Sequence, residues 1–211
     1  MCTRAGVTRH AVYVTEERPP LQIRDPRVMR ALAHPARLAI IDALATGQTG
    51  TATQFAQVVG LSPSATSYHL RALAKYGLVE DAPSRGDGRE RVWQRVSGPL
   101  RFEAGPNDSP EVREAGQALV DAVLDRDDAQ ARQWAEAAAF DEPEWYDASR
   151  ISKNYILVTA EELQKINEAV EELIKPYSFM RRLDPPAGAR PVAINYRAFP
   201  IDRLASEDSK P

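Results

Sequence analysis

Apolar residues recur at helical spacing between residues 25 and 76, and polar turns that contain glycine or proline separate the runs. Each run opens on a residue that can cap a helix. Three of these residues are followed by proline, which suits a first helical position. Glycines close the second, third and fourth runs. We therefore predict four helices, which begin after Asp25, His34, Thr51 and Ser62.

The apolar faces of these four helices are the predicted core of the region. In the fourth helix, Thr66, Leu70 and Leu73 fall within one sector of a helical wheel at about 100° per residue. The first three helices contribute Val28, Met29, Leu32, Leu38, Ile40, Ile41, Leu44, Phe55, Val58 and Val59.

Two strand-like runs follow the fourth helix, LVEDA at residues 78–82 and ERVWQRV at residues 90–96. Gly86 and Gly88 lie between them and favour a hairpin turn. Helices whose last two members are separated by a short turn, followed by a basic hairpin, make a winged helix-turn-helix. We predict this fold for residues 25–100.

The remaining chain has a different pattern. A stretch rich in glycine and proline predicts a linker at residues 101–109, and Ser109–Pro110 begins a long alanine-rich helix that runs to about Phe140. Residues 151–159 and 190–200 are strand-like, and between them a capping box at Thr159 begins a helix to about Tyr177. The predicted fold class is α+β: an N-terminal winged helix-turn-helix, then a helical segment and a small strand–helix–strand C-terminal domain.

These patterns divide the chain into an N-terminal arm (1–24), the winged helix-turn-helix (25–100), the linker, a C-terminal dimerisation and/or effector region (110–203) and a tail (204–211). Charge follows the same division. Residues 24–100 carry 10 Lys and Arg against 6 Asp and Glu, whereas residues 101–211 carry 14 against 22. The overall charge of −3 therefore hides a basic front and an acidic rear, which suggests modules with different partners.

One cysteine, Cys2, excludes an intramolecular disulfide framework, and no apolar run approaches the roughly 20 residues that span a bilayer. With no signal-peptide pattern at the start of the chain, we expect a cytoplasmic protein without membrane contact.

The polar face of the fourth helix is unusual for a surface helix. No acidic residue occurs between Leu61 and Val79, where ordinary surface helices pair Glu with Lys. The face offers hydroxyl groups, a phenol and two cations, a donor-rich set that suits base edges and phosphates. We therefore predict that this helix contacts DNA.

The run ALAHPARLAIIDAL, then TQFAQVVGLSPSATSYHLRALAKYGLVE, then a hairpin that ends in RVWQRV, resembles the ArsR-like family of bacterial winged helix-turn-helix regulators. The resemblance covers residues 25–96. It implies a homodimer on an imperfect palindrome of double-stranded DNA, with recognition helix 62–76 in the major groove and wing 82–92 on the backbone or in the minor groove. It also implies repression by promoter occlusion. The candidate DNA-binding residues are Ser62, Ser64, Ser67, Tyr68, Arg71, Lys75, Arg85, Arg89 and Arg91.

Metal sensing, which is common in that family, is not expected here. The third helix contains no Cys or His, no His follows His69, and the carboxylates near Asp125 are typical of a solvated helix face. We predict no metal or other cofactor. His34 is expected to cap a helix and His69 to be partly buried with a backbone hydrogen bond, while Cys2 is read as an incidental thiol.

The sequence leaves two other functions open and argues against a third. The winged helix could be a protein-interaction module without DNA, and the C-terminal aromatic residues could line a small-molecule effector pocket instead of a core. A catalytic role is not expected, because residues 101–211 contain no phosphate loop, nucleophile elbow or histidine base.

Overall fold

The computed structural model describes residues 21–82, 90–96, 100–102, 104–105, 107–179, 181–182 and 184–201. The elements in these residues are, in chain order, β1 (Leu21–Ile23), α1 (Pro26–Leu32), α2 (Pro35–Ala45), β2 (Gly50–Thr51), α3 (Ala52–Val59), α4 (Pro63–Lys75), β3 (Val79–Asp81), β4 (Val92–Arg95), β5 (Leu100–Phe102), α5 (Pro110–Ala137), α6 (Pro143–Ala148) and α7 (Ala160–Ile174). Short 3₁₀ turns follow α5 at Ala138–Phe140 and α7 at Lys175–Tyr177.

The four predicted N-terminal helices are confirmed, together with the residues that cap them. At α3, Thr51 Oγ1 accepts a hydrogen bond from the Gln54 backbone N–H (3.3 Å), and Gln54 Oε1 accepts one from the Thr51 N–H (2.9 Å). This reciprocal pair is a complete capping box. Gly60 ends α3 in the left-handed conformation with φ 68°, which a residue without a Cβ adopts at little cost.

The predicted hairpin is also confirmed. Strands β3 and β4 pair antiparallel, with Val79 opposite Arg95 and Asp81 opposite Trp93, and β2 pairs with the other edge of β4. Helices α1 to α4 followed by this three-stranded sheet form a winged helix-turn-helix. The hairpin turn at residues 83–89 lies outside the described residues.

The core lies between α1, α2, α4 and the sheet, as the apolar periodicity predicted. Met29, Ile40, Leu70 and Leu73 are fully buried. The placement of Val58 in the core is wrong, because its side chain is 53% exposed. Helix α3 instead buries the small Ala56 beside Phe55.

A parallel pair of short strands was not predicted. β1 and β5 pair over three residues, with Leu21 opposite Leu100 and Ile23 opposite Phe102. The end of the predicted arm is therefore paired with the stretch before α5, and Ile23 of β1 is buried in the core. α5 then packs against α1 through Ala115, Gly116 and Leu119, which are buried.

In the C-terminal region the helices are confirmed and the strands are not. α5 with its 3₁₀ turn reaches Phe140, and Thr159 caps α7 through the predicted capping box with Glu162. The prediction of strands at residues 151–159 and 190–200 is wrong: in the described residues neither segment forms a strand or belongs to a sheet. A strand needs a partner for its backbone, and a single described copy supplies none.

The short helix α6 was also not predicted. None of the described helices combines the length and the apolar character that crossing a lipid bilayer requires.

Candidate nucleic-acid interface

Helix α4 has one fully buried face and one solvent-facing stripe. Thr66, Leu70 and Leu73 are 0% exposed and anchor the helix in the core. The opposite stripe follows helical spacing along about 20 Å of helix. Five of the nine predicted site residues form it: the exposed Ser64, Tyr68, Arg71 and Lys75, and the half-buried Ser67.

Side-chain hydrogen bonds from the capping residues order the first turn of α4. Ser62 Oγ accepts a hydrogen bond from the Ala65 N–H (3.2 Å) and lies 3.1 Å from Ser64 Oγ. Thr66 Oγ1 donates to the Ser62 carbonyl oxygen (3.0 Å), which fixes the first turn from the buried side. Both serines are exposed, and the positive end of the helix dipole lies beside them. This end of α4 can therefore bind a phosphate group by donating hydrogen bonds to its oxygens.

A cleft of about 250 Å³ lies beside the middle of α4. Ser67 and Arg71 of α4 line it together with the first residues of α3 and residues at the start of β4. Sequence reasoning missed Thr53, which is exposed at this start of α3, because the pattern of α3 shows where the helix begins and not what it faces. The complete lining is Thr51, Ala52, Thr53, Ser67, Arg71, Glu90, Arg91 and Trp93.

Arg91, a predicted DNA contact, is engaged within the wing. Its guanidinium forms a two-pronged ion pair with the Asp81 carboxylate across β3 and β4, including an Nη2–Oδ2 distance of 2.7 Å. It also stacks 4.1 Å above the centre of the Trp93 ring. The hydrogen bonds from Arg91 lower the pKa of Asp81, and Asp81 raises the pKa of Arg91. Asp81 therefore neutralises much of the charge that Arg91 could offer to a phosphate.

Of the other predicted cations, two lie on α4 and two lie outside the described residues. Arg71 is exposed, and Lys75 is exposed with its Nζ 5.9 Å from the centre of the Tyr76 ring. Arg85 and Arg89 lie outside the described residues. In the described residues, the positive charge of the interface is therefore centred on α4.

Two histidines of the described residues lie side by side, the exposed His34 at the start of α2 and the buried His69 on α4. His34 Nδ1 accepts a hydrogen bond from the Ala36 N–H (3.2 Å), which confirms its capping role. Its ring centre lies 4.6 Å from that of His69. His69 is buried as predicted, but its Nδ1 has no hydrogen-bond partner in the described residues. No group of three or more metal-ligating side chains occurs in that part of the chain.

A family model described as a helix-turn-helix domain matches residues 32–82. The matched segment runs from the end of α1 through β3, so it contains α2, α3 and α4. The model and the observed order of elements agree on the class of the fold, a winged helix-turn-helix. A search of curated proteins found no match to the chain.

Several solved structures are similar in outline. An apo mutant of ZitR from Lactococcus lactis is 14% identical, with 69% of this chain and 84% of that chain covered and a TM-score of 0.31. A transcriptional regulator homologue from Pyrococcus horikoshii is 21% identical, with coverage of 47% and 87% and a TM-score of 0.29. A MarR family regulator from Silicibacter pomeroyi is 18% identical, with coverage of 67% and 70% and a TM-score of 0.29. These scores are low, and the fold assignment rests on the observed elements and the matched domain.

Proposed function

We propose that the protein is a dimeric, sequence-specific DNA-binding transcriptional regulator that represses by occluding a promoter. The observation that carries this proposal is the division of α4 into a fully buried apolar face and an exposed stripe without acidic residues. A helix about 10–12 Å wide fits the major groove of B-DNA, which is about 12 Å wide. In this position the stripe would face base edges, and the wing would lie along the backbone or the minor groove.

Each group on the stripe suits a part of a DNA site. Ser62 and Ser64 are small and lie at the positive end of α4, where a phosphate is stabilised. Arg71 lies in the second half of the helix and can donate two parallel hydrogen bonds to guanine O6 and N7. Thr53 at the start of α3 faces the same cleft and adds a hydroxyl contact from the neighbouring helix.

A protein-interaction module without DNA is the second candidate function. The wing supports this candidate, because Asp81 pairs with Arg91 and the nearby Glu80 and Glu90 are exposed carboxylates. These carboxylates would be repelled by phosphates unless the wing is kept away from the backbone. The two candidates predict opposite results in one binding experiment.

The experiment is a titration of the purified full chain against its own upstream intergenic DNA and a scrambled fragment. We expect a preference for the native fragment of about 10³ or more. Arg71→Ala should weaken native binding by about 1–3 kcal/mol, or roughly 5- to 150-fold, for each copy that loses its base contact. Arg132→Ala is the matched control, since Arg132 is exposed on α5 away from the stripe, and it should bind as the wild type does.

Equal, weak binding of both fragments with no effect of Arg71→Ala would contradict the regulator proposal and favour the interaction module. An effector site and the dimer contacts within residues 110–203 stay predictions.

A further inference from the structure

The end of α2 receives contacts from two separate parts of the C-terminal region. Phe179, which follows the 3₁₀ turn after α7, lies against Gly47 just beyond α2. Arg126 and Gln130 of α5 bind Asp42 near the end of the same helix. The C-terminal region is therefore joined to the winged helix beside the segment that leads from α2 to the DNA-binding face.

The first contact is made by an aromatic ring on a glycine turn. Gly47 has a left-handed backbone with φ 73°, and its N–H donates to the Leu44 carbonyl oxygen (3.1 Å), so the chain turns away from α2 here. A Cβ built on Gly47 would lie 3.5 Å from Phe179 Cδ1 and 3.7 Å from Phe179 Cβ. The half-buried Phe179 therefore covers the side of the turn on which Gly47 has no side chain.

The second contact is made by charged and polar groups of α5. Arg126 Nε forms an ion pair with Asp42 Oδ2, and Gln130 Nε2 donates to the same oxygen (3.4 Å). Arg126 and Gln130 are one helical turn apart, so they reach Asp42 from one face of α5. Asp42 also acts on β4: burial lowers the pKa of Arg95, and the Asp42 carboxylate opposes that decrease. One carboxylate therefore interacts with both α5 and the last residue of β4.

A short connection leads from these contacts to the candidate interface. Four residues separate Gly47 from the first residue of α3. The last two, Gly50 and Thr51, form β2 and pair with β4 of the wing. Thr51 also caps α3, whose first residues line the cleft beside α4. Because β2 is hydrogen-bonded to β4 and leads directly into α3, the position of the Gly47 turn affects both of these elements.

We propose that Phe179 and Arg126 are positioning residues for the DNA-binding face. By fixing the end of α2 they set the positions of α3 and β4, and thus the shape of the cleft that Arg71 lines. Packed side chains and ion pairs are the kinds of contact that carry such coupling. The C-terminal region then influences DNA binding without contacting DNA. The inference rests on the proposed function for its effect on DNA, whereas its effect on β2, α3 and β4 exists in the free protein.

Amide hydrogen exchange of the full chain without DNA, followed peptide by peptide by mass spectrometry, tests the Phe179 contact. Phe179→Ala should speed exchange of residues 48–55 by about tenfold, because local opening of this segment costs less once the ring is removed. Exchange of α1 should stay as in the wild type, since a general loss of stability would speed exchange in every element. Phe179→Leu keeps an apolar side chain on Gly47 and should restore most of the protection. Phe140→Ala is the matched control, because Phe140 is 90% exposed, and it should leave residues 48–55 unchanged.

The same measurement tests the Arg126 contact independently. Arg126→Gln removes the ion pair with Asp42 and should speed exchange of β4 by about threefold, because a partly exposed ion pair stabilises its partners modestly. Arg132→Gln is the matched control, since Arg132 is exposed on the same helix, and it should exchange as the wild type does.

The variants are then titrated with the native DNA fragment. Phe179→Ala should weaken binding by about tenfold, and Phe179→Leu and Phe140→Ala should stay within about threefold of the wild type. Unchanged exchange of residues 48–55 in Phe179→Ala would overturn the positioning proposal, whether or not the wild type binds DNA. So would faster exchange with an unchanged DNA affinity, because the DNA-binding face would then not depend on the contact. A wild type that binds neither DNA fragment would contradict the proposed function instead, and the exchange of the free protein would still decide whether Phe179 positions α3.

Discussion

His69 and His34 meet where α4 crosses the start of α2, with 4.6 Å between their ring centres. His69 is 9% exposed, and its Nδ1 lacks a hydrogen-bond partner in the described residues. Burial lowers the pKa of His69 below 6.5, and the nearby His34 and Arg37 lower it further because they disfavour a second positive charge. The folded protein therefore holds this imidazole neutral in conditions where an unfolded chain would protonate it.

This lowered pKa predicts a loss of stability in mild acid. Between the folded pKa and about pH 6.5 the unfolded state binds more protons than the folded state, so the free energy of unfolding rises with pH. The contribution is fully present above pH 6.5 and falls as the pH drops below it, by at most about 1.4 kcal/mol per pH unit. Urea unfolding of the wild type from pH 7 to pH 5 measures the slope, and His69→Gln should flatten it.

The variant His34→Asn shows how much the His34 ring contributes to the pH dependence that His69 causes. Asparagine keeps a side-chain acceptor at the start of α2, so the cap is retained while the second ring is removed. This variant should keep a reduced slope, because burial of His69 remains. An unchanged slope in His69→Gln would show that another group controls stability in this range.

At the scale of elements, α5 packs closely against residue 104, which precedes it in the chain, and Gly116 is the α5 residue at this contact. A Cβ built on Gly116 would lie 2.4 Å from Ala104 Cβ and 3.9 Å from Met29 Sδ. Ala104 Cβ is attached directly to the backbone, so the neighbour cannot turn away as a long side chain could. The close packing of residue 104 on α5 therefore depends on the missing side chain.

Gly116→Ala should destabilise the protein by about 1–3 kcal/mol, because overpacking outweighs the roughly 1 kcal/mol that alanine gains over glycine in a helix. The double variant with Ala104→Gly removes the clash and should recover most of that loss. Chemical denaturation of the single and double variants measures the coupling. If Gly116→Ala alone were stabilising, the close approach would not constrain the native packing.

The sequence predicted local elements well and non-local pairing poorly. Caps and helical spacing depend on residues within one or two turns, so the starts of α1, α3, α5 and α7 follow from the sequence. β1 and β5 pair between residues about 80 positions apart, and nothing near Leu21 in the sequence indicates Leu100. The pattern at residues 151–159 is typical of a strand, but a local pattern does not show whether any segment is placed to pair with it.

In the candidate interface, too, local patterns were predicted and non-local contacts were missed. The stripe on α4 is a local pattern and was predicted, including the exposure of Tyr68 and Arg71. The ion pair between Asp81 and Arg91 was missed because it is a diagonal contact: Asp81 lies opposite Trp93, and Arg91 precedes Trp93 by two residues. Thr53 was missed because only the packing of α3 on α4 brings it to the cleft.

At the scale of the whole molecule, an acidic chain that binds DNA must separate its charges. Residues 24–100 have a balance of +4 and residues 101–211 a balance of −8. α5 and α7 together hold 12 of the 22 acidic groups in residues 101–211, on helices other than the α4 that carries the stripe. Repulsion between the acidic region and DNA is screened beyond about 8–10 Å at physiological salt, so local cations on α4 decide binding.

Because the cations of α4 are expected to contact phosphates, the salt dependence of DNA binding measures how many copies of the chain bind one DNA site. Each phosphate neutralised contributes a slope of about −0.9 to a plot of log affinity against log salt concentration. Lys75→Gln should weaken binding on all sequences and flatten the slope by about 2 if two copies bind, or by about 1 if one copy binds. Arg91→Gln should change the slope little, because Asp81 already neutralises Arg91 in the free protein. A larger change for Arg91→Gln than for Lys75→Gln would mean that Arg91 leaves Asp81 for a phosphate and that the wing carries the backbone contacts.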